Sequence, residues 1–328
     1  MTAFSGYNPN FISDRHPVSL PALSKTQQAD TLKSPAYPSG FLRHANYTVV
    51  LCASRRMAWF SSANLDAKSF QQVTRRQLSN YWKLEEGLTQ KAVTWDAWYK
   101  LSAQKLQRGH LTPADCMEWG KDVPDAIGNA NTTFYYSNAV PQIKRLNGRE
   151  WGMLERYIGL ECLKAGNARL CVHTGPVLQS IDPKYIHQVE AQDLQLPLLF
   201  WKVIWYLDEK AHLSRIGFLM SQSKLLRASG LIHTPEKSPR DVSTAGPFED
   251  LGNYKTYQVD VKVIQQLTGL HFAAAARNPY AGKRPLELIL KEIDVPESFE
   301  PKIQQGIVER AALAPGKKNL KILVGLEL

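Results

Sequence analysis

"LFWKVIWYL" (Leu199–Leu207), followed after Asp208-Glu209-Lys210 by "HLSRIGFLMSQ" (His212–Gln222), decides the fold. Both stretches are dense in β-branched and aromatic residues, and three charged residues separate them. That pattern predicts a hairpin of two long antiparallel strands. Working outward, "NYTVVLCAS" (Asn46–Ser54) and "MAWFSSANL" (Met57–Leu65) predict a second strand pair around an Arg55-Arg56 turn. "RLCVHTGPVL" (Arg169–Leu178) reads as a buried strand ended by Gly175-Pro176, and "TTFYYSNAVPQ" (Thr132–Gln142) as a short strand running into a Pro-broken loop. Helical spacing appears twice. Between Asn147 and Ala165 the apolar positions are Trp151, Leu154, Tyr157, Ile158 and Leu160; "VDVKVIQQLTGLHF" (Val259–Phe272) predicts a short helix stopped by Gly269. Strands and helices do not alternate regularly, so an α+β layer structure is expected rather than a doubly wound sheet.

The chain has 328 residues, enough for a large core, with 44% hydrophobic and 21% charged residues. Its formal net charge of +10 favours a polyanionic partner such as nucleic acid, or an anionic membrane surface. The most apolar run, Leu194–Leu207, contains Pro197 and Lys202 and is too short to cross a bilayer. The N-terminus carries no basic region followed by an apolar one, so no cleavable signal is expected and a cytoplasmic setting is. The four cysteines, Cys52, Cys116, Cys162 and Cys171, include no Cys-x-x-Cys pair, which argues for reduced thiols and against thiolate metal binding. Residues 1–36, rich in Pro, Ser and Asn, read as an extended arm over the body.

Candidate chemistry centres on "KLQRGHLTPADCMEWG" (Lys105–Gly120), where Arg108, Gly109 and His110 stand together before a Thr-Pro turn. An imidazole accepts a proton near neutral pH, and a guanidinium grips phosphate oxygens with a two-pronged contact. A loop His bonded to a backbone carbonyl is the plain alternative. Further along, steps of four keep Asn147, Trp151 and Glu155 on one edge of a helix. An amide oxygen and a carboxylate so placed suit a hard, hydrated cation such as Mg²⁺. Asn147 with Glu150 three residues later also reads as a capping box. His173, on an apolar strand, reads as a core residue.

"RGHLTPAD", "TFYYSNAVPQIKRLNGREWGMLE", "HTGPVL" and "VIQQLTGLHF", in that order and spacing, resemble the DNA/RNA non-specific endonucleases, the family of the Serratia nuclease and endonuclease G. "GYNPNFI…HPVSLP" and "NYTVVLCASRRMAWFSSANLD" resemble its bacterial branch, and the likeness spans about residues 6–275. The resemblance implies a central antiparallel sheet with flanking helices and a ββα-metal finger. It implies His110 as general base, Arg108 as phosphate contact and Asn138 as an active-site asparagine that arranges the pocket. It further implies Asn147 as the Mg²⁺ ligand, with Mn²⁺ a substitute, and Glu155 as support for the ion's water shell.

Two positions depart from the pattern: Gln107 stands where the signature has Asp, and Gly159 where the family often has Arg. Arg145 and Arg156 are candidate replacements for that arginine, and Arg55 and Arg56 candidate backbone contacts. The expected organisation is an arm (1–36), a nuclease domain (37–275) and a C-terminal extension (276–328) packed on or regulating it. The expected activity is Mg²⁺-dependent, sequence-indifferent hydrolysis of DNA and/or RNA to 5′-phosphate ends. The alternative is a catalytically impaired nucleic-acid-binding module. A nuclease retained in its own cell needs restraint, so an inhibitor, an activating assembly or homo-oligomer, a regulated defence or toxin role, or non-classical export is expected.

Overall fold

The computed structural model describes residues 4–79, 81–144, 154, 169–233, 256–294 and 319–324. The strands in chain order are β1 (Phe41–His44), β2 (Tyr47–Cys52), β3 (Met57–Asp66), β4 (Leu106–His110), β5 (Ala139–Ile143) and β6 (Arg169–Val177). They continue as β7 (Leu199–Leu207), β8 (Leu213–Ser221), β9 (Thr256–Val259), β10 (Leu286–Asp294) and β11 (Asn319–Val324). The described α-helices are α1 (Lys25–Ala29), α2 (Asp96–Lys100), α3 (Val123–Asn131), α4 (Ser223–Ser229) and α5 (Val261–Thr268). Nine strands form one sheet in the order β1-β2-β3-β6-β7-β8-β9-β10-β11, and β4 and β5 form a separate ribbon. Every pairing within both is antiparallel. The chain is an α+β protein, and the hairpin read from Leu199–Gln222 lies at the middle of its sheet.

Alternation along β7 gives the sheet two working faces. Phe200 and Ile204 enter a core that also holds Trp98, Leu111, Phe134 and Val140. Trp201, Val203 and Trp205 enter a second core with Tyr7, Ile12, Val18, Ile264 and Phe272. The first face carries the β4–β5 ribbon; the second is covered by α5 and by the N-terminal arm. Full burial of each such side chain contributes about 1.5–3 kcal/mol, so both faces stabilise the sheet strongly.

Helix α5 ends where its sequence says it should. Gly269 takes a φ of 69° and its N–H bonds to the Gln265 carbonyl at 2.8 Å. The arm reaches the same terminus, where Gln27 Nε2 donates to the Thr268 carbonyl at 2.8 Å. Beginning the arm's own short helix, Ser24 and Gln27 form a capping box.

Two expectations are corrected. Pro141 does not break a strand: Tyr136–Asn138 form a short 3₁₀ turn, and the strand is β5, Ala139–Ile143, in which Pro141 pairs with Arg108. Gly175-Pro176 does not end β6, which runs on to Val177 opposite Leu199. Pairing with β3 stops at Thr174, so Pro176 lies where the strand has one neighbour only and its missing N–H breaks no ladder. Gly175 leaves room that a Cβ would lack, since that atom would fall 2.6 Å from the Trp59 carbonyl oxygen. Among the described residues Cys52, Cys116 and Cys171 are free thiols, and no helix is long and apolar enough to cross a membrane.

Candidate active site

The ribbon sets Gln107 opposite Gln142, Arg108 opposite Pro141, Gly109 opposite Val140 and His110 opposite Ala139. Residues two apart share a strand face, so Arg108 and His110 project together while Gln107 and Gly109 face the other way. A Cβ on Gly109 would overlap the side chain of Gln142, itself fully buried. The glycine is therefore what lets the two strands close here.

Past His110 the chain turns, and Asn138 fixes the turn. Asn138 Nδ2 donates to the carbonyls of Thr112 (2.8 Å) and Thr133 (3.0 Å), and its Oδ1 accepts from the Thr112 N–H at 2.9 Å. The Leu111 N–H donates to the Asn138 carbonyl at 2.9 Å. This amide is wholly buried, and its bonds hold the backbone on both sides of the turn.

His110 lies among aromatic rings. Its ring centroid is 4.6 Å from that of Trp82 and 5.1 Å, edge to face, from that of Phe134. The Arg75 guanidinium lies over the same Phe134 ring at 5.1 Å. The residue as a whole is half-buried, and its Nε2 is shielded and has no hydrogen-bond partner. Burial, helped by the positive charge of Arg75, lowers the His110 pKa to about 3. The ring is thus a neutral imidazole at physiological pH, one of its two nitrogens an acceptor.

Arg108 is held from two sides. One end of its fork donates to Asp96 Oδ1, at the start of α2, and the guanidinium lies 5.2 Å over the Tyr99 ring. The Tyr136 hydroxyl donates to the same Asp96 oxygen at 2.8 Å. Tyr136 also stands 6.0 Å from Trp82, so aromatic contacts link the surroundings of Arg108 to those of His110.

The candidate backbone contact at Arg55 is corrected. Its guanidinium is turned inward, donating to Asp182 Oδ2 at 2.7 Å and to the carbonyls of Gln179 and Gln195. Arg56 donates to the Asp193 carbonyl at 2.8 Å, tying the turn to the same loop. Both serve the turn, whose Arg56 takes a φ of 56°. His173 is fully buried, with Nδ1 2.7 Å from the Ser62 hydroxyl oxygen. Asn147, Glu155, Arg145 and Arg156, with Gly159, lie outside the described residues.

The described surroundings of His110 suit no hard cation by themselves. Trp82 and Phe134 offer no oxygen, Arg75 is cationic, and the Asn138 oxygen is spent on Thr112. Among the described residues no group of three or more His, Cys, Asp or Glu side chains could hold a metal. Sequence reasoning missed Arg75, Trp82 and Asp96. Arg75-Arg76 followed by Tyr81-Trp82 is a second paired arginine run like Arg55-Arg56, and only packing shows which run meets the histidine.

The large antiparallel sheet and its ribbon, which sets a neutral imidazole beside an ion-paired guanidinium, define an α+β protein. The chain belongs to the DNA/RNA non-specific endonuclease family, whose sequence profile matches residues 26–278. The uncharacterized protein y4fB of Sinorhizobium fredii is 26% identical over 281 residues, covering 82% of this chain and 39% of that protein. Mitochondrial endonuclease G of Homo sapiens is 29% identical over 154 residues, covering 40% of this chain and 48% of its own length. The chain spans less than half the length of these curated relatives. A solved structure described as the EndoG/EndoGI complex is similar over 71% of this chain and 84% of that one, with 18% identity and a TM-score of 0.47.

Proposed function

We propose that the chain is a sequence-indifferent endonuclease acting on DNA and/or RNA, with His110 as its general base. One observation carries the reading: His110, neutral and with an unpartnered Nε2, shares a strand face with the phosphate-gripping Arg108. The imidazole takes a proton from water as the water oxygen attacks phosphorus. The bond from phosphorus to the 3′ oxygen breaks, and the departing oxygen gains a proton from solvent, leaving a 5′-phosphate and a 3′-hydroxyl. Arg108 holds the non-bridging oxygens as their negative charge grows, and Arg75 adds a second cation. These groups address the backbone, and phosphate contacts carry no base information.

Asn147 and Glu155 are proposed to hold Mg²⁺, or Mn²⁺ in its place; such an ion stabilises charge on the leaving oxygen. Arg145 and Arg156 are proposed as further phosphate contacts. The test is digestion of matched DNA and RNA with Mg²⁺ and with EDTA, followed by end analysis. Metal-dependent cleavage leaving 5′-phosphates supports the proposal, and no cleavage with Mg²⁺, or with Mn²⁺ in its place, refutes it.

Gln107 favours a second reading, an impaired binding module. Its place on the face opposite Arg108 and His110 leaves both side chains of the pair intact, and so supports activity instead. A cytoplasmic location is proposed, where restraint by an inhibitor, by homo-oligomerisation or by the segment after residue 275 would make the protein a regulated defence or toxin effector. That β10 continues the sheet beside β9 supports such a role for the C-terminal segment.

A further inference from the structure

We propose that Asp96 and Tyr136 are positioning residues that clamp Arg108 in the orientation its phosphate contact requires. The inference rests on the nuclease reading above and deepens it at one site. Arg108 spends one end of its fork on Asp96 Oδ1, and Tyr136 donates to that same oxygen at 2.8 Å. The Tyr99 ring lies beneath the guanidinium at 5.2 Å and fixes its plane. The Arg108 side chain keeps 29% of its surface exposed, while its Nε is shielded and without a partner. A guanidinium carries five donors, so an arginine anchored at one end keeps others for an anion.

The clamp has a chemical consequence. A free arginine side chain carries ~2 kcal/mol of rotamer entropy, and a clamped one has lost most of it before substrate arrives. Asp96 also partly neutralises Arg108 in the resting protein, which weakens its pull on ground-state phosphate. As charge builds on phosphorus, the contact from the clamped fork strengthens. Asp96 and Tyr136 thus serve turnover more than binding. Lys100, whose Nζ is 3.5 Å from Asp96 Oδ2, is largely exposed and contributes little. Gln107 supplies no charge beside Arg108, and Asp96 brings one from a different element, fourteen positions upstream of His110.

Two measurements test the clamp. In steady-state cleavage, Asp96→Asn lowers kcat about tenfold without raising KM, and Tyr136→Phe lowers kcat by a smaller factor of about three. In an Arg108→Lys background Asp96→Asn has no further effect, because the residue acts through Arg108. Additive losses, or a raised KM at unchanged kcat, overturn the proposal. The second readout needs no turnover. The Arg108 Nε–H resonance, assigned by its loss in Arg108→Lys, should be protected from exchange with water and should lose that protection in Asp96→Asn. An unchanged resonance overturns the clamp whatever the activity. Wild-type protein with a protected resonance and no cleavage would instead overturn the nuclease reading and leave the clamp standing.

Discussion

Asn138 and Thr112 bond reciprocally: the Thr112 N–H donates to Asn138 Oδ1 at 2.9 Å, and Asn138 Nδ2 donates to the Thr112 carbonyl at 2.8 Å. The pair mimics a strand ladder at a turn where no strand continues, and it fixes the direction in which His110 leaves β4. Asn138→Ala strands three buried backbone groups and should cost about 3 kcal/mol, read from urea unfolding. Asn138→Asp keeps the acceptor but loses both donated bonds, so it should recover only part of the loss. A variant as stable as wild type would contradict this role.

Gly109 is the second fixed point. Gly109→Ala pushes its new methyl into Gln142 and should destabilise by about 1–3 kcal/mol. In a Gln142→Ala background the same change should cost much less. Equal costs in both backgrounds would show that the ribbon does not close on this contact.

Acid should unfold the protein through its buried histidines. Burial lowers the pKa values of His44, His110 and His173 to about 3, so each stays neutral when folded but charges in the unfolded chain. Their contribution is present above the ordinary histidine range and is lost as pH falls from about 6.5 toward 3. Glu85 acts in the opposite sense. Burial raises its pKa to about 7, so its protonation as pH falls stabilises the folded form. Three groups against one leave unfolding coupled to an uptake of roughly two protons near pH 5, about 2.7 kcal/mol per pH unit. His173→Gln should reduce that slope by about half in unfolding curves at pH 6 and pH 5. An unaltered slope would contradict the assignment.

Arg55 and Arg75 separate structural from substrate-directed charge. Burial raises the Asp182 pKa, and the paired Arg55 pulls it back down. Arg55→Ala leaves that carboxylate buried and unmatched, and should cost about 3–5 kcal/mol of stability. Arg75→Ala should leave stability nearly intact, weaken binding to any sequence, and reduce the salt slope of binding by about 1. Interchanged outcomes would reverse the two roles.

The central hairpin was legible because Leu199–Leu207 and Leu213–Ser221 are long, apolar and separated by charges. The α5 stop was legible because Gly269 alone fits a φ of 69° without strain. β1 was not, being four residues with an exposed Arg43, and β10 was not, since its "LELILKEID" mixes apolar and charged residues in no regular alternation. The Arg108–His110 pairing was visible because adjacency along a strand is a property of sequence. Arg75, Trp82 and Asp96 were invisible as site residues, because only tertiary packing brings them there.

The central claim is that His110 removes a proton from the attacking water. Single-turnover cleavage of a labelled duplex by wild type and His110→Ala, at saturating Mg²⁺, tests it most directly. The account predicts a rate loss of at least ~100-fold with duplex affinity unchanged. Cleavage by His110→Ala at the wild-type rate would contradict it.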